Sequence, residues 1–211
     1  MTFNIREKRD TELAMAASPY NVHDHLKGLS IDELKLVSWA DRLPWHTLCL
    51  NLTGDINVGN IIRTSHCLGA SSVTIFGRQR IDQRSLVGSS NYIKIEKVVG
   101  VDNNLNLQPK LLSDHLKARK MIPIFVECNG VNLAKINWKL SITSMLVDGY
   151  EPCLIMGNET GGIPSNILEA VNEFAGSFIV SIPQRGVIRS FNVSSAHAMV
   201  SASMCQGLEW L

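Results

Sequence analysis

The 211-residue sequence contains no C-x-x-C pair. Its five cysteines, Cys49, Cys67, Cys128, Cys153 and Cys205, are odd in number and widely spread. That spacing argues against both a zinc site and a disulfide framework, and no other metal-ligand cluster stands out, so no metal is expected. Four of the five stand among apolar or small residues, the setting of a cysteine used as a small core residue. No stretch approaches 18 consecutive apolar residues, and the amino end "MTFNIREKRD" has no apolar run of the signal-peptide kind. The expectation is a cytoplasmic, reduced chain with no membrane partner. Charge is balanced: 20 Lys and Arg against 19 Asp and Glu leave a net +1, so any surface for a polyanion has to be a local patch.

Nucleotide fingerprints are missing as well. Gly54 and Gly59 in "LTGDINVGNIIRT" have the separation of P-loop glycines, but Asn60 and Ile61 stand where the lysine and hydroxyl are needed. No G-x-G-x-x-G occurs with an acid about 20 residues further on. Both absences disfavour an NTPase and a nucleotide-dependent oxidoreductase.

What the chain does have is alternation. Residues 1–45 are more polar than the rest and read as an N-terminal helical extension: "IREKRDTELAMAA" has helical character, and "SIDELKLVSWADRLP" opens with a Ser30–Glu33 capping box. Residues 46–211 read as one α/β domain. Strands are predicted over Thr47–Leu52, Ser72–Phe76, Ile93–Val99, Met121–Glu127, Cys153–Met156 and Phe178–Ile182. Helices are predicted over Gly59–Leu68, over Lys110–Lys120, from about Pro164, and over Asn192–Leu208. Such a pattern implies a mostly parallel sheet with helices on both faces. Ligands of open sheets bind beyond the carboxyl ends of the strands, which singles out the loops after Leu52, Met156 and Ile182.

In the first loop, Asn57-x-Gly59-x-x-x-Arg63 puts Arg63 about one turn into the predicted helix. Its guanidinium can reach back to a helix start where free N–H groups favour anions, or it can simply be solvated. In the second, "LIMGNETGGIP", Gly157, Gly161 and Gly162 allow close backbone approach. Glu159 among them either faces a ligand or caps the helix starting near Pro164. The third, "SIPQRGVIRSFNVSSAHAMV", holds Arg189, Ser190 and Asn192 between two apolar elements; capping explains one of the last two, not both. The helix that follows is small and apolar almost all round, suited to packing against other backbone, including a partner subunit. His197 on it reads as a core or interface histidine.

Taken together, "NVGNIIRTSHCLGASSVTIFG", "LIMGNETGGIP" and "SIPQRGVIRSFNVSSA" resemble, in order, the three motifs of the SPOUT superfamily, and in particular its SpoU/TrmH branch of RNA ribose 2′-O-methyltransferases. The resemblance covers about Leu48 to Gly207. It implies a deep C-terminal trefoil knot with Gln184–Asn192 as the knot loop around S-adenosylmethionine, and a homodimer through the knot helices. Carried across, Asn57, Arg63, Glu159, Ser190 and Asn192 occupy catalytic positions, with Gly157, Ile182, Phe191 and Glu127 contacting the cofactor. In this reading Asn57 fixes Arg63. Free arginine, with a pKa of about 12.5–13.8, is a poor base, so Arg63 is expected to stabilise the developing alkoxide. Two departures, Phe191 for the usual leucine and the larger His197 and Met199, remove no chemical group.

The RNA footprint is expected to be local: Arg78, Arg80 and Arg84 in "GRQRIDQRS", and Arg6, Lys8 and Arg9 near the amino end. The chain looks most like the catalytic domain of tRNA guanosine 2′-O-methyltransferases that act on the D-loop. The alternatives are a ribosomal RNA methyltransferase and an RNA-binding module with a degenerate cofactor site.

Overall fold

A computed structural model describes residues 21–104, 106–171 and 173–211. The first predicted helix, and with it Arg6, Lys8 and Arg9, lies outside the described residues. After a 3-10 turn at Asp24–Leu26, helix α1 (Ile31–Ala40) begins at the expected capping box. The Glu33 carboxylate accepts from Ser30 N–H at 2.8 Å, and Ser30 Oγ accepts from Glu33 N–H at 3.4 Å. Buried Leu34, and Ser38 donating to the Tyr92 carbonyl at 3.0 Å, hold α1 on the body.

The body follows as β1 (Leu43–Leu50), α2 (Asp55–Cys67), β2 (Ala70–Phe76), the single-turn α3 (Gln83–Leu86), β3 (Lys94–Val98), α4 (Pro109–Ala118), β4 (Met121–Asn132), α5 (Trp138–Val147), β5 (Glu151–Met156), α6 (Ser165–Val171), β6 (Phe178–Ser181) and α7 (Val193–Gly207). The six strands form one sheet in the order β3-β2-β1-β5-β4-β6, with every pairing parallel.

Side chains along β1 alternate between two cores. Trp45 and Cys49 join Val58, Ile61, Trp138, Ile142, Val200 and Met204 under α2, α5 and α7; Leu48 and Leu50 join Leu112, Leu116, Phe125 and Ile167 under α4 and α6. Burial on both faces explains why these strands read as continuous apolar runs. On the first face, His197 is fully buried, and its Nε2 lies 3.0 Å from Thr47 Oγ1 and 3.3 Å from Ser65 Oγ, tying α7 to β1 and α2. Burial pushes that ring down to about 3.

Three expectations are corrected. Helix α2 starts at Asp55, four residues before Gly59, for a reason that lies in the site described next. Helix α5, which the sequence reading leaves out, is capped by Asn137, whose side chain accepts from Leu140 N–H at 3.0 Å. Only Cys49, Cys153 and Cys205 are buried; Cys67 is exposed on the outer side of α2, and Cys128 is exposed where β4 runs past the end of its partner β5.

Candidate cofactor cleft

The carboxyl ends of β4, β5 and β6 open onto a cleft of about 290 Å³, at the small end of small-molecule sites. One wall is apolar: Val126, Met156, Ile182, Phe191, Val193 and Ala196. The rim carries Glu127, Glu159, Ser190 and Asn192, with backbone of Gly157 and Gly162 between them. Of the nine residues expected in catalysis or cofactor binding, the cleft gathers Glu127, Gly157, Glu159, Ile182, Ser190, Phe191 and Asn192 directly, and Asn57 through hydrogen bonds. Arg63 is elsewhere.

Glu159 is the hub. Its Oε2 accepts from Thr53 N–H (2.9 Å) and Thr53 Oγ1 (3.0 Å), and its Oε1 from Gly54 N–H and Asn57 Nδ2, both at 2.9 Å. Partial burial raises the carboxyl, but the hydrogen bonds from Asn57, Thr53 and Gly54 overcome it and hold the group down at about 2. The carboxylate thus caps the start of α2 from across the sheet, which is why that helix begins before any local signal. It does not cap α6. It also consumes donors at the start of α2, so the anion seat expected there for Arg63 to join is already filled by Glu159.

From Asn57 the network continues. Its Oδ1 accepts from Asn192 Nδ2 at 3.0 Å, and Asn192 Oδ1 accepts from Ser194 N–H (2.9 Å) and Ser195 N–H (3.3 Å) as the cap of α7. Glu127 Oε1 accepts from Ile163 N–H at 2.5 Å, and Gly162 is needed beside it: φ is +66° and a Cβ would come within 2.6 Å of that carboxylate.

Two further residues contribute: Asn158, which the sequence reading does not single out, and Arg189, which it places in the third loop. Asn158 donates to the Asn51 carbonyl (2.8 Å) and accepts from Thr160 N–H (3.0 Å), closing the glycine loop. Arg189 Nη2 donates to the Thr160 carbonyl at 3.1 Å, pinning the loop of Gln184–Asn192 over it. An asparagine inside a glycine turn is the available signal for the first.

The expectation that Asn57 fixes Arg63 is corrected. Asn57 spends its side chain on Glu159 and Asn192. Arg63, six residues on, lies on a different side of the helix at about 100° per residue. It stands exposed in line with Ile56 and Cys67, and lines a separate cavity of about 690 Å³ between α1, α2 and Trp210. Among the three loop arginines, Arg78 Nη2 is ion-paired to Asp55 at 3.1 Å and Arg84 to Asp82 at 2.6 Å, which leaves exposed Arg80 without an ion pair to a described residue.

The residues present suit S-adenosylmethionine. A slot with an aromatic side chain accepts a flat base, and two carboxylates on the rim favour a cationic sulfonium; the one cation among the described lining residues, Arg189, is turned to the Thr160 carbonyl. Among the described residues there is no group of three His, Cys, Asp or Glu placed to hold a metal ion.

An open parallel sheet with a glycine-rich polar cleft beyond its carboxyl ends defines a small-ligand-binding α/β domain. The SpoU rRNA Methylase family matches residues 46–202, and the chain belongs to it. The "tRNA (guanosine(18)-2′-O)-methyltransferase TARBP1" of Mus musculus is 24% identical over 153 residues, covering 68% of this chain; the chain spans only 8% of that relative's length. The fold is shared with the A. aeolicus TrmH/SpoU tRNA modifying enzyme, at 20% identity and a TM-score of 0.64, over 85% of this chain and 83% of that one. It is shared too with the SpoU methyltransferase AviRb from Streptomyces viridochromogenes, solved in complex with AdoMet, at 21% identity and a TM-score of 0.58, over 79% and 57% of the two chains.

Proposed function

We propose that the chain methylates a ribose 2′-hydroxyl of RNA using S-adenosylmethionine, with a tRNA D-loop guanosine as the target. The observation that carries this reading is the Glu159–Asn57–Asn192 network framing an apolar slot at the strand ends. The tRNA preference is supported by the mouse relative's name, and ribosomal RNA is the second reading, favoured by the family's own description.

When bound, S-adenosylmethionine supplies an electrophilic methyl on a sulfonium. The chain's residues do the rest by placement, since holding two reactants in line removes most of the entropic barrier. Ile182, Phe191 and the Gly157 backbone wall the slot, and Glu127 fixes the glycine loop through Ile163. The Glu159–Asn57–Asn192 network makes one unit of the starts of α2 and α7, so that Ser190 and Phe191 keep their places. In this reading Gln184–Asn192 is the loop of a trefoil knot that α7 passes through. Arg63 completes the site from a second copy, in a homodimer packed through α7 and the outer stripe of α2, where Ile56 is 55% exposed. There its guanidinium stabilises the alkoxide as it forms.

Incubation of bulk tRNA and rRNA with methyl-labelled S-adenosylmethionine, followed by mapping of protected riboses, tests the reading. Label at a D-loop guanosine is expected. Label confined to rRNA selects the second reading, and a chain that binds neither the cofactor nor RNA overturns both.

A further inference from the structure

The other end of the sheet carries a second charged site. Arg42 stands just before β1, Ser71 is the second residue of β2, Lys94 opens β3 and Glu151 opens β5, and these four strands are neighbours in the sheet. Arg119 joins them from the end of α4. With His46 they line a polar cavity of about 380 Å³. The six residues of β5, at about 3.3 Å each, put roughly 17 Å between this cavity and the cleft.

Its charges are unevenly satisfied. Glu96 behind the wall takes Lys94 (2.6 Å) and Arg119 and is held down at about 2: burial raises it, and the hydrogen bonds from those two cations more than reverse that. Glu151 is taken by His46, Nε2 to Oε2 at 2.6 Å, and that hydrogen bond lowers its carboxyl. Arg42 feels Glu151 at a distance but makes no hydrogen bond or ion pair with a described residue. A free guanidinium at a mouth shared with two more cations is a seat for a phosphate oxygen. The chain Ser72–His46–Glu151 has the residue types of a hydrolytic triad, but Ser72 is 1% exposed and no substrate reaches it.

Arg42 and Ser71 also line the neighbouring cavity of about 690 Å³, whose wall carries Trp39, 53% exposed, and Trp210. A basic pocket continuous with an aromatic groove is the combination that grips unpaired nucleic acid: phosphate in one, base face against the other. We propose that this face is a second RNA contact, taking a backbone phosphate at Arg42, Lys94 and Arg119 and an unstacked base against Trp39. The inference rests on the RNA reading above, in which Arg63 of this same groove faces the partner's slot, and adds to it that the RNA runs on from that slot to the basic pocket, so that a folded RNA is preferred to a short one.

The test uses Arg42→Ala, Lys94→Ala and Trp39→Ala, all exposed side chains, with bulk tRNA binding measured over a range of salt and methylation kinetics run alongside. Arg42→Ala and Lys94→Ala are expected to weaken binding and to make the plot of log K against log salt shallower by about 0.7–0.9 each. Trp39→Ala should weaken binding by about fivefold to a hundredfold with the slope unchanged. In all three, KM for RNA rises while turnover at saturating RNA and cofactor affinity stay at wild-type values. Wild-type RNA affinity and slope in the variants overturn this inference and leave the methyltransferase reading standing; a wild-type chain that neither binds nor methylates RNA overturns both. Thermal stabilisation by millimolar inorganic phosphate that depends on Arg42, with RNA affinity unaffected by Arg42→Ala, assigns the seat to free phosphate and also overturns the RNA contact.

Discussion

Asn192 donates its side-chain amide to Asn57 Oδ1 at 3.0 Å while its own oxygen caps α7, so a single residue joins the starts of two helices. Removing the cap should cost about 1 kcal/mol of stability, and the effects of Asn57→Ala and Asn192→Ala should be non-additive by about 0.5–3 kcal/mol. A double-mutant cycle in urea, repeated on turnover, measures this. Strict additivity in both readouts would show that the contact couples nothing.

Gly157→Ala is expected to abolish cofactor binding. A Cβ there would lie 2.6 Å from Ile163 Cγ1 and 2.8 Å from the Gly162 carbonyl carbon, forcing the glycine loop into the slot. Calorimetric titration with S-adenosylmethionine against the wild type decides it; unchanged affinity means the loop does not hold the ligand.

Arg63→Ala should keep cofactor affinity and lose more than about 100-fold in turnover. Mixed with Gly157→Ala protein, it should recover part of the activity, because in the proposed homodimer each mixed dimer contains one intact slot facing one intact arginine. Wild-type turnover in the single variant removes Arg63 from the chemistry, and a failed mixture confines it to its own chain.

Cys128 lines the cleft as an exposed thiol. S-adenosylmethionine should therefore slow alkylation of Cys128, read peptide by peptide in a mass spectrometer, and Gly157→Ala should remove that protection. A wild-type Cys128 that the cofactor leaves unprotected would place the ligand elsewhere.

Stability should fall in acid through His197. Its folded value of about 3 lies below the ordinary 6.5, so the unfolded chain binds the extra proton; the contribution is full above about 6.5 and is lost as pH falls towards 3. The slope is at most ~1.4 kcal/mol per pH unit. Burial lowers His66 and His115 in the same sense, so the comparison is with His197→Gln. Between pH 7 and 5 the wild type should lose about 2 kcal/mol more than that variant in urea unfolding. Parallel curves would exclude the residue.

Which features were legible follows from where their causes lie. The strands were readable because a sheet covered on both faces leaves unbroken apolar runs such as "CLIM" and "FIVS". The α1 boundary was readable because Ser30 and Glu33 are three residues apart. The start of α2 was not, since its cap, Glu159, is more than a hundred residues away in the chain. The same distance hid what Asn57 does: the motif showed that Asn57, Glu159 and Asn192 belong together, but not that they bond to one another instead of to Arg63. Helix α5 was missed although Asn137 marks it, because Leu140 and Val147 lie on its exposed side and blur the periodicity.

The separation of 135 residues between Asn57 and Asn192 has a bearing on biosynthesis. While translation is under way, the emerging polypeptide already has Glu159 and the start of α2, but not the loop that closes over them. A product cut short between residues 181 and 192 would have all six strands and still lack a finished pocket, so competence arrives late and all at once.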